Sequence, residues 1–429
     1  MAMIFNEHNA FKLLDELSFP RVGGTKEEKK AAGILKSYLK SIGLTSHEET
    51  FKTPTYEEIS ASLEVSTPYT KKYKAAVMGN TGSTPANGIK GELVHLLSAS
   101  SEHIKETKNK IVILYNAVLN KNVYQKLKQM NIKALIRVME ATRELHHLKQ
   151  NDLFSKAYGK VPSIILDYED GLELIRKGVK YVTIKSKQKE FVATSQNVIS
   201  TIEGTDFPNE KIIICGHYDS VVKSPGSIDN AGGSVTIAEY ARYFSEHPPK
   251  RTIVFIWFGS EELGLKGSWA YRRKHEAELT KPTPPLSIKA QELKLVINVD
   301  VAGTIFGSNG AIICGHETMA NFVDGLAKEK GLQMNISHGA YSSDNIPFNE
   351  KGIPSIALHR ASGNFGHTPL DNMRLMSPEG LKLLGQYGLE LVNRIVNATE
   401  IPFTLSIPDS DKKQVCEYVE RANPFYRPS

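Results

Sequence analysis

Cysteine is scarce in this chain of 429 residues: Cys215, Cys314 and Cys416 are the only three, and no two form a CxxC pair. Two of them sit inside apolar strand-like runs, so buried, reduced thiols are expected, and with them a cytoplasmic protein. Long hydrophobic runs are missing too. None approaches the ~18 residues that a membrane span requires, and Met1 to His8 has neither the basic nor the apolar part of a secretory signal. No membrane partner is expected. Blocks of like charge are equally absent: 53 basic and 47 acidic residues are spread along the chain for a net +6, an ordinary solvated surface that argues against a nucleic-acid partner. The chain lacks a GxSxG elbow and a GxxxxGKS/T loop, which excludes serine-hydrolase and P-loop chemistry. His275-Glu276-Ala277-Glu278-Leu279 and His316-Glu317-Thr318-Met319-Ala320 open like HExxH but have no second histidine, so neither is a zincin helix.

What the chain does contain is four apolar runs that each end in side chains able to bind metal. Ile212-Ile213-Ile214 leads to His217 and Asp219; Ile253 to Phe258 leads to Glu261 and Glu262; Leu295 to Val299 leads to Asp300; Ile353 to Leu358 is followed by His367 and Asp371. Short β-branched runs flanked by helical patterns read as strands of a buried, largely parallel sheet, and such sheets bind ligands at the carboxyl ends of their strands. The expected fold is therefore α/β, a mixed, largely parallel sheet sandwiched by helices. Four separate segments then deliver their ligands to one edge.

The length suggests two or three units of the usual ~100 to 200 residues. Thr25-Lys26-Glu27-Glu28 has capping-box spacing, and the apolar stripe from Ala31 to Ile42 stops at Gly43, which predicts an amphipathic helix with both ends marked. Between about residues 60 and 190 the texture changes to short strands and helices, and no run there ends in a ligand cluster. The adjacent His146 and His147 of this stretch read as surface histidines, because neighbouring helical residues point in different directions. The αβ alternation resumes near Gln196 and continues to about residue 398, with Asp229-Asn230-Ala231-Gly232-Gly233 opening a helix that Pro248-Pro249 closes. The expected division is 1–59 with 191–400 as one domain, 60–190 as an insert, and 401–429 as a Pro-punctuated tail with one short helix around Lys412 to Glu420.

Borderline-soft Zn2+ accepts imidazole and carboxylate, and two such ions ~3.5 to 4 Å apart need a carboxylate between them. The candidates are His217, Asp229, Glu262, Asp300 and His367. Glu261 beside Glu262 is informative: on an extended or turning segment adjacent side chains diverge, so one can bind metal while the other faces the substrate as a base.

In this order, His-x-Asp, Asp-Asn-x-Gly-Gly, Glu-Glu-x-Gly, Asn-x-Asp and His-Thr-x-x-Asp resemble the dizinc exopeptidases related to aminopeptidase Y, bacterial leucyl aminopeptidase and glutamate carboxypeptidase II. The likeness covers roughly 195–398 and reaches Arg21-Val22-Gly23-Gly24; residues 60–190 resemble a protease-associated domain. The resemblance implies one zinc on His217, Asp229 and Asp300, another on Asp229, Glu262 and His367, and Glu261 as the base that deprotonates a water between them. It makes Asp219 the acceptor that orients the His217 ring, and it implies a cis peptide at Asp229-Asn230. The implied activity is that of an aminopeptidase acting on peptides with a free N-terminus. Relatives often carry a tyrosine before the last histidine, where this chain has Gly366; Tyr341 is a candidate replacement, and Asn345 stands where histidine is commoner.

Three rival readings follow. A carboxypeptidase or amidohydrolase would keep the metals and need a basic pocket, for which Arg360 is the only hint, with a surface salt bridge as its plainer role. A non-catalytic scaffold would be expected to have lost ligands or the base, and this chain retains all of them. A single-zinc cyclase would leave His217 and Asp300 without a task. Asp371 reads equally as a turn former or as a carboxylate behind the ligands. His316, which ends a second Ile-Cys-Gly-His run, has no carboxylate two residues on and reads as a strand-end histidine near the surface.

Overall fold

The computed structural model describes residues 4–142, 144–276, 292–361 and 363–427. Met1 to Met3 of the leader segment and Ala277 to Leu279 of the His275 motif lie outside them. Strand β1 (His47–Val65) leads into β2 (Lys71–Lys74), β3 (Ala76–Val77), β4 (Ile89–His95), β5 (Ile111–Tyr115), β6 (Ala134–Val138) and β7 (Ser163–Leu166). The chain returns through β8 (Tyr181–Ile202) and then alternates with helices through β9 (Phe207–His217), β10 (Arg251–Phe258), β11 (Glu292–Val299), β12 (Ser308–Cys314), β13 (Asn335–His338) and β14 (Ser355–Ala361).

These strands form one 14-stranded sheet whose path runs β13-β12-β14-β11-β9-β10-β8-β4-β5-β6-β7-β3. The four β-branched runs are its centre. Strands β14, β11, β9 and β10 are parallel neighbours, with Ile214 beside both Phe255 and Ile297, so their carboxyl ends share one edge. Every residue of β10 is buried, as a strand covered on both faces requires. One face packs under helices Glu7–Leu17, Lys26–Ser41, Gly233–Glu246 and Pro378–Asn397; the other holds Ile199, Ile213, Ile256, Phe258 and Phe348.

The early helix starts where capping predicts. Thr25 Oγ1 accepts from Glu28 N, and Glu28 reaches back one residue further than a standard box, accepting from Gly24 N at 2.7 Å.

Strands β4 to β7 and β3 form the far end of the sheet, with separate apolar clusters around Ile111, Ile136 and Leu166 on one face and Val112, Leu135 and Tyr124 on the other. The 22-residue β8 joins the two ends: its first residues pair with β4, its last with β10, and β1 runs antiparallel along nearly all of it. Residues 59/60 and 190/191 therefore fall inside two long strands.

The tail is more ordered than a single short helix. Its helix spans Asp409–Ala422 and buries Val415 and Val419 against Leu265 and Ile346, while Asp411 accepts from Gly315 N. Among the described residues no helix is long and apolar enough to cross a membrane.

Candidate metal centre

Each candidate ligand sits where a central strand ends or in the turn that follows. His217 is the last residue of β9, Glu261 and Glu262 follow β10 across Gly259-Ser260, Asp300 follows β11, and His367 lies in the turn after β14. Ser260 and His367 adopt left-handed φ values of 56° and 61°, which turn the chain sharply enough to present these side chains at the sheet edge. Asp229 lies in the turn Ser227–Gly232 with non-helical φ/ψ of −116° and 91°, and the peptide to Asn230 is cis.

The two histidines do not meet each other; they meet opposite oxygens of one carboxylate. His217 Nε2 lies 3.2 Å from Asp229 Oδ1 and 3.3 Å from Asp300 Oδ1. His367 Nε2 lies 3.2 Å from Asp229 Oδ2 and 3.2 Å from Glu262 Oε2. Within each trio, His217/Asp229/Asp300 and Asp229/Glu262/His367, ligand atoms stay within 4.8 Å of one another, and His217, Glu261 and Glu262 form a third such group. Glu261 is thus near the cluster without belonging to either trio that shares Asp229.

The electrostatics show what this cluster is short of. Burial opposes protonation of both imidazoles, yet the facing carboxylates hold His217 and His367 well above the ordinary histidine pKa. Burial, with Glu262, Asp344 and Asp300 nearby, pushes Glu261 well above the carboxylic range. A buried group of carboxylates with too little positive charge, plus a Glu262 Oε1 that has no hydrogen-bond partner, fits two divalent cations. The donor set of imidazole nitrogen and carboxylate oxygen suits zinc.

The surrounding shell is as specific as the ligands. Asp219 Oδ1 lies 3.4 Å from His217 Nδ1, close to that ring nitrogen though not hydrogen-bonded to it. It also accepts from Glu261 N at 2.9 Å and, through Oδ2, from Glu262 N at 3.2 Å. One carboxylate thereby holds the backbone of the glutamate doublet and lies beside the ring. Asp371 does the same for Asp229, accepting from Ile228 N at 2.6 Å and Asp229 N at 3.1 Å. Arg21, fully buried, donates to the carbonyls of Tyr218, Pro225, Phe19 and Gly226 and ties together the two ends of the loop between His217 and Asp229. Its place was foreshadowed only by the Arg21-Val22-Gly23-Gly24 likeness; the role as a carbonyl clamp had no local signal.

Other expectations are corrected. His146 and His147 are not surface residues: they are 5% and 2% exposed. His147 N donates to His367 O at 2.8 Å, and its Nδ1 lies 3.0 Å from Glu58 Oε2, which also pairs with Lys223. The segment is buried because it threads between β1 and the last ligand turn. Arg360 is neither a substrate clamp nor a surface ion pair: it is buried and donates to Thr304 O, Ile305 O and Asn309 Oδ1. Tyr341 does approach the cluster, its hydroxyl donating to Asp300 O at 3.4 Å. At Gly366 an added Cβ would lie 3.7 Å from Asp229 Oδ2, so that position faces the shared carboxylate. A cavity of about 190 Å3 opens beside Glu262 and His367, walled by Tyr56, His147, Lys149 and Val221.

Residues 197–392 match the family model described as Peptidase family M28. That match spans a little under half of the chain. The chain is 26% identical over 426 residues to aminopeptidase YwaD of Bacillus subtilis (strain 168), covering 94% of itself and 87% of that protein. It is 24% identical over 396 residues to human carboxypeptidase Q, covering 86% and 81% respectively. Among solved structures, BSAP, a zinc aminopeptidase from Bacillus subtilis, superposes with a TM-score of 0.74 at 24% identity, covering 95% of this chain and all of that one. An M28 peptidase precursor from Shewanella amazonensis SB2B gives 0.77 at 18% identity, covering 93% and 96%. The fold of these solved structures is the fold seen here.

Proposed function

We propose that this chain is a zinc-dependent aminopeptidase that hydrolyses the N-terminal bond of peptides. The observation that carries the reading is the division of Asp229, one oxygen toward His217 and the other toward His367. His217, Asp229 and Asp300 would hold one zinc, and Asp229, Glu262 and His367 the other. Bound there, two zinc ions would polarise a substrate carbonyl and lower the pKa of a water.

The chain's own residues supply the rest. Glu261 takes the proton of the attacking water and returns it to the departing amine. Asp219 holds its backbone, which fixes the point from which the Glu261 side chain reaches the site. Tyr341 brings a buried hydroxyl to the same cluster and takes the place left by Gly366, donating to the oxygen that becomes negative as the carbonyl is attacked. A free substrate α-amine beside the second trio and the acidic side chains around it would select N-terminal residues.

Residues 1–59 with 191–400 form the catalytic unit in this reading, and 60–190 a protease-associated insert that walls the approach to it. The hydrogen bond from His147 N to His367 O supports that role for the insert. The buried, unpaired thiols of Cys215 and Cys314 support a cytoplasmic location.

The test is Glu261→Gln. Metal analysis should find two zinc ions per chain, and hydrolysis of an aminoacyl arylamide should fall by about 10²- to 10⁴-fold, the usual worth of a general base. Acetylating the substrate's α-amine should abolish hydrolysis by the unaltered enzyme. Equal rates on acetylated and free substrates would replace this reading with an amidohydrolase or carboxypeptidase.

A further inference from the structure

A second cavity adjoins the first and is lined by basic side chains without a carboxylate among them. It measures about 600 Å3, its lining includes Lys121, Arg137, Lys149 and Arg421 with Asn120 and Asn151, and no Asp or Glu lines it. Arg137, on β6, is the informative residue. It is 7% exposed, donates from Nη2 to Gln150 Oε1 at 2.9 Å, and leaves its Nε without a hydrogen-bond partner.

Comparison with the other buried arginines sharpens the point. Arg21 and Arg360 spend their donors on backbone carbonyls and, for Arg360, Asn309 as well; Arg251 pairs with Glu210, and Arg272 with Glu350. Arg137 has one neutral amide and no ion pair among the described residues. Burial draws its pKa down only to about 10, so it stays charged at neutral pH. A guanidinium kept out of water without a counter-charge is costly, and its fork of donors matches a carboxylate.

The cavity shares a wall with the one beside the metal centre. Lys149 and Asn151 line both cavities, and Lys149 Nζ donates to Leu263 O, the residue after Glu262.

We propose that this second cavity is a carboxylate site that receives the C-terminal end of a short peptide whose amino end lies at the metal centre. The enzyme then selects short peptides with a free acid terminus. The inference rests on the aminopeptidase reading, and the carboxylate could come either from the substrate or from a separate small anion.

The experiment uses the zinc-loaded full chain with di- to pentapeptides, each as free acid and as C-terminal amide. At a preferred length the acid should exceed the amide in kcat/KM by about 10-fold or more, mainly through KM. Arg137→Met should bring that ratio toward one. Arg421→Gln, on the exposed side of the tail helix, should lower it by roughly 2-fold, as a rim charge does. If Arg137→Met fails to fold, Arg421→Gln decides, and an unchanged ratio overturns the proposal. Inorganic phosphate should inhibit hydrolysis of acids more than of amides. Equal kcat/KM for acids and amides at every length overturns the proposal, and if phosphate then inhibits both alike the cavity serves a separate anion. An arylamide substrate keeps the two readings apart: if it is hydrolysed while acids and amides tie, only the carboxylate site fails.

Discussion

Ile214-Cys215-Gly216-His217 and Ile313-Cys314-Gly315-His316 are the same four residues in two places, and only one of them ends among carboxylates. The first closes β9, flanked on both sides by parallel strands, and its histidine is 1% exposed. The second closes β12, which runs antiparallel to β14 and sits one strand from the sheet's end. Because β14 is parallel to β11 and β9, the carboxyl end of β12 points to the opposite edge of the sheet. His316 there caps the Glu317–Glu329 helix, its Nδ1 accepting from Thr318 N at 3.2 Å. Strand direction, which four residues cannot encode, decides whether a strand-end histidine becomes a ligand or a cap.

Substitutions can test that contrast. The largest effect belongs to the residue that both trios share: Asp229→Ala should lose zinc from both positions, and kcat/KM should drop by roughly 10³-fold or more, since several kcal/mol of stabilisation go at once. Metal analysis beside the kinetics checks it, and a variant that keeps two zincs and half its activity refutes the shared ligand. Asp219→Asn should cost about 10- to 100-fold in zinc affinity or rate, the range for a group that orients a ligand. Zinc at about 1,000 times its dissociation constant should stabilise the fold by about 4 kcal/mol, read as a rise in melting temperature that a chelator reverses. The smallest effect is at the other copy of the run. His316→Ala should remove about 1 kcal/mol of cap stability and leave turnover and zinc content alone. Loss of metal from that variant would erase the distinction between the two strand ends.

Much of the centre was legible because it is built from contiguous signals. A β-branched run of four to eight residues announces a buried strand, and the residue that breaks the run is the one at the sheet edge. His217, Glu261, Glu262 and Asp300 all stand within a few positions of such a break. Asp229 and His367 stand farther from the strand ends, in turns, and were read as candidates from residue type and order before the likeness assigned them to two ions. Caps such as Thr25 were readable for the same local reason.

The unread parts share a different property: their partners are distant in sequence. β1 is polar and contains Pro54, and its length makes sense only against β8, more than a hundred residues away. His147 looked like a surface residue because neither Glu58 nor His367 is near it in the chain. Arg21 offers no periodicity or motif of its own, and its carbonyl partners come from residues 19 and 218–226. Asp371 was undecided until its two backbone donors, Ile228 and Asp229, were in view.

The bond from His147 N to His367 O has a thermodynamic corollary. A proposed zinc ligand and a peptide group from the far end of the sheet steady each other, and coupling of this kind works in both directions. Emptying the ion from the His367 side should therefore make the 145–150 stretch exchange its amide hydrogens faster, and whatever loosens that stretch should speed release of the ion.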